Sequence, residues 1–157
     1  MHKMKYYISS IIFIIVISSI FTSCISNDIE KKMEAQVPAT LKVGDELYTE
    51  LKNEHYESIG GSFSKRFYKT YTGDQLTIMF SDIRNKYGSV RKFDFIGTKL
   101  TTSIENGEKQ HLISNSYKVL YATGFVSKER LTFVVDDNTK TIDKVDGYSF
   151  SKYSDEE

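Results

Sequence analysis

The run Ile8–Cys24, ISSIIFIIVISSIFTSC, constrains this chain more than any other stretch. It is apolar, it ends in the only cysteine, Lys3 and Lys5 precede it, and no acidic residue occurs before Asp28. A basic start, an apolar centre and small residues at the end are the features of an export segment, which is not part of the folded domain. With one cysteine, no disulfide can form within the chain.

Phe21-Thr22-Ser23-Cys24 resembles a bacterial lipobox, in which small residues precede a cysteine that takes up diacylglycerol and becomes the new N-terminus. The resemblance implies a signal peptide over 1–23 and a lipid on Cys24 that anchors the protein in the membrane of the cell envelope. Two other readings share the export: an uncleaved anchor over Tyr6–Ile25, which approaches the ~20 residues of a helical span, and a secretory signal whose cysteine is incidental.

The remainder is sized for one domain plus a tether. The 21 basic and 21 acidic residues balance. Loss of Lys3 and Lys5 with the signal leaves the mature part near −2, and without a basic excess nothing points to nucleic acid. Residues 24–36 are polar and charged and read as the tether. A flexible chain of that length reaches about 20 Å. Its EKKMEAQ core is equally good helix material and reads as well as an extension of the first helix.

From 37 to 150 the pattern is that of an α+β domain. Val37, Leu41, Gly44, Tyr48 and Leu51 recur at helical spacing, with Pro38 suited to a first turn. Tyr56, Ile59, Phe63 and Phe67 suggest a second helical piece interrupted by Gly60-Gly61. Thr72 followed by Gln75 fits a capping box. It opens a third helix with the stripe Leu76, Met79, Phe80, Ile83 and Tyr87, read as core, and Gly88 closes it. After Gly88 the period becomes two. Phe93 and Phe95 alternate with Lys92 and Asp94, and Thr98, Leu100, Thr102 and Ile104 continue on shifted parity, so a bulge or bend is expected near Gly97. Asn106-Gly107 marks a hairpin. Further strands are expected over His111–Tyr121, around Leu131–Val135, and from Ile142 to Phe150. A turn is expected at Asp136–Thr139 and a second bulge at Asp146-Gly147. Residues 151–157 are a polar tail.

The expected architecture is therefore three N-terminal helices packed on a curved four-stranded antiparallel sheet. The order resembles the nuclear-transport-factor-two-like, cystatin-like cone fold, and within it small bacterial exported domains of unknown function. The resemblance covers roughly 37–150 and rests on Tyr56…Phe63-Ser64…Phe67, the capped helix from Thr72 to Gly88, and Asp146-Gly147-Tyr148-Ser149-Phe150. It implies a pocket between the sheet and the helices. Some members are isomerases or dehydratases that use an Asp, His or Tyr there; many others bind small ligands, form homodimers or have no known activity.

Candidates for such a pocket are Asp94, His111, Tyr117, Tyr121 and Tyr148. Asp94 and His111 have plainer readings, on the solvent side of an alternating strand and as a hydrogen-bonded surface residue. His55 falls near a helix end, where a cation is favoured. No metal-ligand spacing, P-loop, nucleophile elbow or calcium loop is present, so neither metal nor cofactor is expected. The reading that follows is a lipid-anchored, non-catalytic binding or accessory domain, with a small ligand or an envelope protein as partner. The alternatives are an inhibitory protein-interaction module and an isomerase-type pocket enzyme.

Overall fold

The tether and first helix read from the sequence are one continuous helix, α1 (Lys3–Lys52). The computed structural model describes residues 28–104, 107, 109–135 and 142–154 in full, and residues 3–27, 105 and 108 through their backbone alone. The chain divides into two compact units, Met1–Ala35 and Gln36–Glu157. In the first, the backbone is helical from Lys3 onward. EKKMEAQ thus forms helix, the second of the two readings given to that stretch. Pro38 lies inside α1 instead of opening it. Among the described residues no helix is long and apolar enough to cross a membrane; the run Ile8–Cys24 lies in the stretch described by backbone only.

Within the second unit, α1 buries Thr40, Val43, Leu47, Tyr48 and Leu51; of the expected face Gly44, Tyr48 and Leu51 are buried, whereas Val37 and Leu41 are half-exposed and Val43 and Leu47 take their place. Gly44 belongs to that face for a steric reason. A Cβ there would collide with the phenol of Tyr117 on the sheet, so glycine is what lets helix and sheet approach.

The segment from Tyr56 to Phe67 is not a second long helix. It forms two 3-10 turns, Ile59–Ser62 and Phe67–Lys69, between which Phe63 makes an isolated parallel bridge to Val145. Among the described residues the α-helices are therefore two and not three. The apolar spacing correctly marked Ile59, Phe63 and Phe67 as buried, but the Gly60-Gly61 pair and the pull of Val145 divide the piece before a helix can propagate.

The second helix, α2 (Gly73–Tyr87), begins with the expected capping box: Thr72 Oγ1 accepts from the Gln75 amide at 3.2 Å, and Gln75 Oε1 accepts from the Thr72 amide at 2.8 Å. It ends at Gly88, whose φ of 82° and close approach to Ala122 both favour glycine.

Four antiparallel strands follow as a meander, β1 (Val90–Glu105), β2 (Glu108–Tyr121), β3 (Val126–Val135) and β4 (Gly147–Lys152), in spatial order β1-β2-β3-β4. The register shift between Phe95 and Gly97 is the expected bulge. Gly107, at φ 84°, lies in the hairpin between Glu105 and Glu108. The expected turn at Asp136–Thr139 lies outside the described residues, as does Asn106. The last strand is shorter than expected. Val145 leaves the sheet to bridge Phe63, and β3 and β4 pair without a shift from Thr132↔Gly147 to Ser127↔Lys152. The parity change at Asp146-Gly147 marks the start of the strand and not a bulge. Ser151 and Lys152 still belong to β4, so the polar tail begins later than read.

The inner sheet face carries Phe93, Tyr117, Val119, Glu129, Leu131, Tyr148 and Phe150, and both helices rest on it. Tyr48 of α1 packs on Tyr117 and Phe93 with ring centroids 4.7 and 5.3 Å apart. Phe80 of α2 packs on Tyr148 at 5.2 Å, and Tyr87 stacks on Phe125 at 4.0 Å and on Phe150 at 5.6 Å.

Candidate functional site

The inward positions of β3 are Ser127, Glu129, Leu131, Phe133 and Val135, all buried. Period-two alternation thus sends one acid into the core. Four hydroxyls meet it there. Glu129 Oε1 accepts from Tyr121 of β2 at 2.6 Å and from Ser127 at 2.6 Å. Its Oε2 accepts from Tyr148 of β4 at 2.8 Å and from Tyr48 of α1 at 3.0 Å. An ionised carboxylate has about four acceptor sites, and here each is matched by one donor. Burial holds the Tyr48 and Tyr148 phenols well above their ordinary range, and the neighbouring Glu129 charge pushes them further up. Tyr121 is raised for the same two reasons, in the same order. The phenols therefore remain protonated donors.

A general base needs an acceptor site within reach of a substrate proton. Glu129 is fully buried and its oxygens are engaged. Its role is to join α1, β2, β3 and β4 at one point. A second buried network has the same character: Asn115 donates to Thr40 Oγ1 at 2.9 Å and accepts from Thr98 Oγ1 at 2.7 Å. Tyr117 is different. Its phenol is buried against Gly44 with no hydrogen-bond partner among the described residues, and burial, with Asp45 adding to it, raises its pKa.

Above this core an open groove of about 510 Å³ runs between α2 and β4. Ile78, Met79 and Ile83 of α2 face Tyr148 and Phe150, and Gln75 and Asp82 supply its polar lining. The α2 stripe read as core is thus divided. Leu76 and Phe80 are buried, whereas Met79 and Ile83 are half-exposed and wall the groove. Tyr148 belongs to both places, its ring to the groove and its hydroxyl to Glu129.

Of the five pocket candidates, Tyr121 and Tyr148 meet on Glu129, and Tyr117 is linked to them through Tyr48. The other two do not join them. Asp94 is exposed on the outer face, bonded to Lys92 Nζ at 2.7 Å. The Nδ1 of His111 lies 2.9 Å from Thr102 Oγ1, toward the hairpin end of β1 and β2. Both follow the plainer of their two sequence readings. Glu129 was missed, although its signal was present: an acid on the same parity as Leu131, Phe133 and Val135.

No protein-family model matches the chain, and no curated protein does.

A Ser-His-Glu grouping exists at the end of α1 but has the wrong connectivity for a nucleophile. Ser58 donates to Glu50 at 2.7 Å and His55 Nδ1 contacts the same carboxylate oxygen at 3.1 Å, so serine and histidine compete for one acid. These hydrogen bonds, that of Ser58 first, hold the Glu50 carboxyl below its ordinary range. Among the described residues no cluster of three His, Cys, Asp or Glu has the arrangement of a metal site. The side chain of Cys24 lies outside the described residues.

Proposed function

We propose that this chain is a lipid-anchored protein of the bacterial cell envelope, held by diacylglycerol on Cys24. Its domain is a curved cone of the nuclear-transport-factor-two-like, cystatin-like kind that binds a small ligand without transforming it. The anchor rests on the sequence Ile8–Cys24. The binding role rests on one structural observation: polar groups beneath the α2–β4 groove are consumed by one another, while the groove itself is apolar and open. Asp82 is the one carboxylate among the described residues lining it. The ligand class that fits is a compact apolar body carrying a cationic end.

Two experiments test the parts separately. Metabolic labelling with a fatty acid marks the wild type and not Cys24→Ser; label retained by the variant removes the lipoprotein reading. For the groove, the full chain in neutral detergent is titrated with phenethylamine and followed by methyl resonances. Met79 and Ile83 shift with saturation, Val119 in the core does not, and Asp82→Asn weakens the response. Equal shifts throughout, or none, remove the groove as a ligand site.

A further inference from the structure

We infer that the free edge of β1 pairs with the same edge of a second copy of this chain, antiparallel about a two-fold axis through Thr102. In the order β1-β2-β3-β4, β1 is bonded to a neighbouring strand on one side only, and it lies at the opposite edge of the sheet from β4 and its groove. A long strand edge left open is a template for another strand, unless proline, a bulge or charges blunt it. The bulge of β1 lies between Phe95 and Gly97, and beyond it Thr98–Glu105 runs in unbroken register with β2. That half contains no proline and one lysine, and Thr98, Thr101, Thr102 and Ile104 are β-branched residues that suit a strand. The hairpin sets which backbone groups face outward. Glu105 and Glu108 are directly opposed with two residues between them, so they form the closing hydrogen-bonded pair. Counting back from that pair, Ile104, Thr102, Leu100 and Thr98 turn their amide and carbonyl groups away from β2. Ile104 is 71% exposed.

The occupant is a second copy because this half-strand is complementary to itself. With Thr102 opposite Thr102, Leu100 meets Ile104 of the second copy, Thr101 meets Ser103, and Lys99 meets Glu105. Each contact occurs twice, as an isologous interface requires. The axis is normal to the sheet, so residues of one face meet residues of the same face and the two sheets continue as one. Moving the axis to Thr101 sets Lys99 against Ser103 and Ile104 against Thr98. Moving it to Ser103 sets Lys99 against Gly107 and Ile104 against Thr102. Of these registers only the one centred on Thr102 joins opposite charges and apolar side chains together, the pairings that stabilise neighbouring strands. Within its own chain Glu105 stands opposite a second acid, Glu108, so a cation is the favoured neighbour across the free edge.

The test uses the full chain in neutral detergent with a single thiol. In a Cys24→Ser background, Thr102→Cys sets two cysteines opposite each other across the axis, at a Cα separation of about 5.5 Å, which a disulfide can span. Mild oxidation is expected to give a cross-linked dimer. Lys65→Cys, exposed elsewhere, is expected to give none. Lys99→Glu added to Thr102→Cys lowers the cross-linked fraction about tenfold, because two attractive pairs become repulsive. Glu105→Lys added to that chain restores the dimer, because both charges are then reversed. The comparison of the two cysteine positions leaves both charges native, so it is decisive even where a charge variant does not fold. Equal cross-linking at the two positions overturns the proposal, since collision within micelles then explains both. So does a Thr102→Cys chain that stays monomeric, the outcome expected if a strand of another protein occupies the edge. A Lys99→Glu loss that Glu105→Lys does not restore overturns the register.

Discussion

The phenol of Tyr48 and the carboxylate of Glu129 lie 81 residues apart in sequence and 3.0 Å apart in the fold. That bond ties the C-terminal part of α1 to the middle of the sheet, and Tyr121, Ser127 and Tyr148 complete the shell around the same carboxylate. A buried carboxylate so fully engaged is secure only while every donor is in place.

Glu129→Gln is expected to cost more than its near-identical shape suggests. The amide presents two donors to hydroxyls that are themselves donating, so several groups lose partners at about 1–3 kcal/mol each. Tyr148→Phe removes one of four donors and is expected to cost about 1–3 kcal/mol. Urea titrations of the two variants rank them; a Glu129→Gln midpoint at or above that of Tyr148→Phe would contradict the assignment of four donors to one acceptor.

Gly44 and Tyr117 give a paired expectation. Alanine in a helix interior is favoured over glycine by about 1 kcal/mol. At Gly44 the new methyl meets the Tyr117 phenol, and overpacking of this kind costs about 1–3 kcal/mol. The steric term wins, so Gly44→Ala destabilises. Tyr117→Phe removes a buried hydroxyl without a partner among the described residues and is expected to be neutral or stabilising. It also relieves part of the Gly44→Ala cost in the double variant. Thermal melts of the four chains close the cycle, and additive effects would show that the two residues do not touch.

Alkaline stability follows from the phenols. Tyr48, Tyr117, Tyr121 and Tyr148 are raised in the folded protein, burial being the first cause in each, while an unfolded phenol titrates near pH ~10. Because the folded pKa is the higher one, the stabilisation is fully present below pH ~10 and is lost as pH rises toward the folded values. Tyrosinate absorbance is expected to rise gradually for the more exposed tyrosines and then cooperatively, as unfolding releases these four. A gradual titration of all the tyrosines with the fold intact would contradict the buried cluster.

Helix α2 separates core from groove by one side of its apolar stripe. Phe80, buried against Tyr148 and Phe63, is expected to cost about 3–5 kcal/mol when cut to alanine. Thr72→Ala, which removes the cap, is expected to cost about 0.5–2 kcal/mol. A Phe80→Ala urea midpoint no lower than that of Thr72→Ala would move Phe80 from the core to the groove.

The local elements were legible in the sequence because short-range chemistry sets them. The capping box at Thr72 and Gln75, the stop at Gly88, the bulge before Gly97 and the hairpin at Gly107 each need only neighbours a few residues away. The run Ile8–Cys24, on which the proposed anchor rests, is likewise a linear pattern. Contacts at long range decided the rest. The Tyr56–Phe67 spacing suits a helix, but Phe63 bridges Val145, far along the chain, and that pairing outcompetes a short glycine-split helix. Ile83 and Phe80 have the same apolar character; only the position of β4 decides which is buried and which walls a groove. Glu129 could be placed on an inward face by parity alone, yet a buried carboxylate is stable only with partners. Those partners come from α1, β2, β3 and β4, which no local pattern brings together.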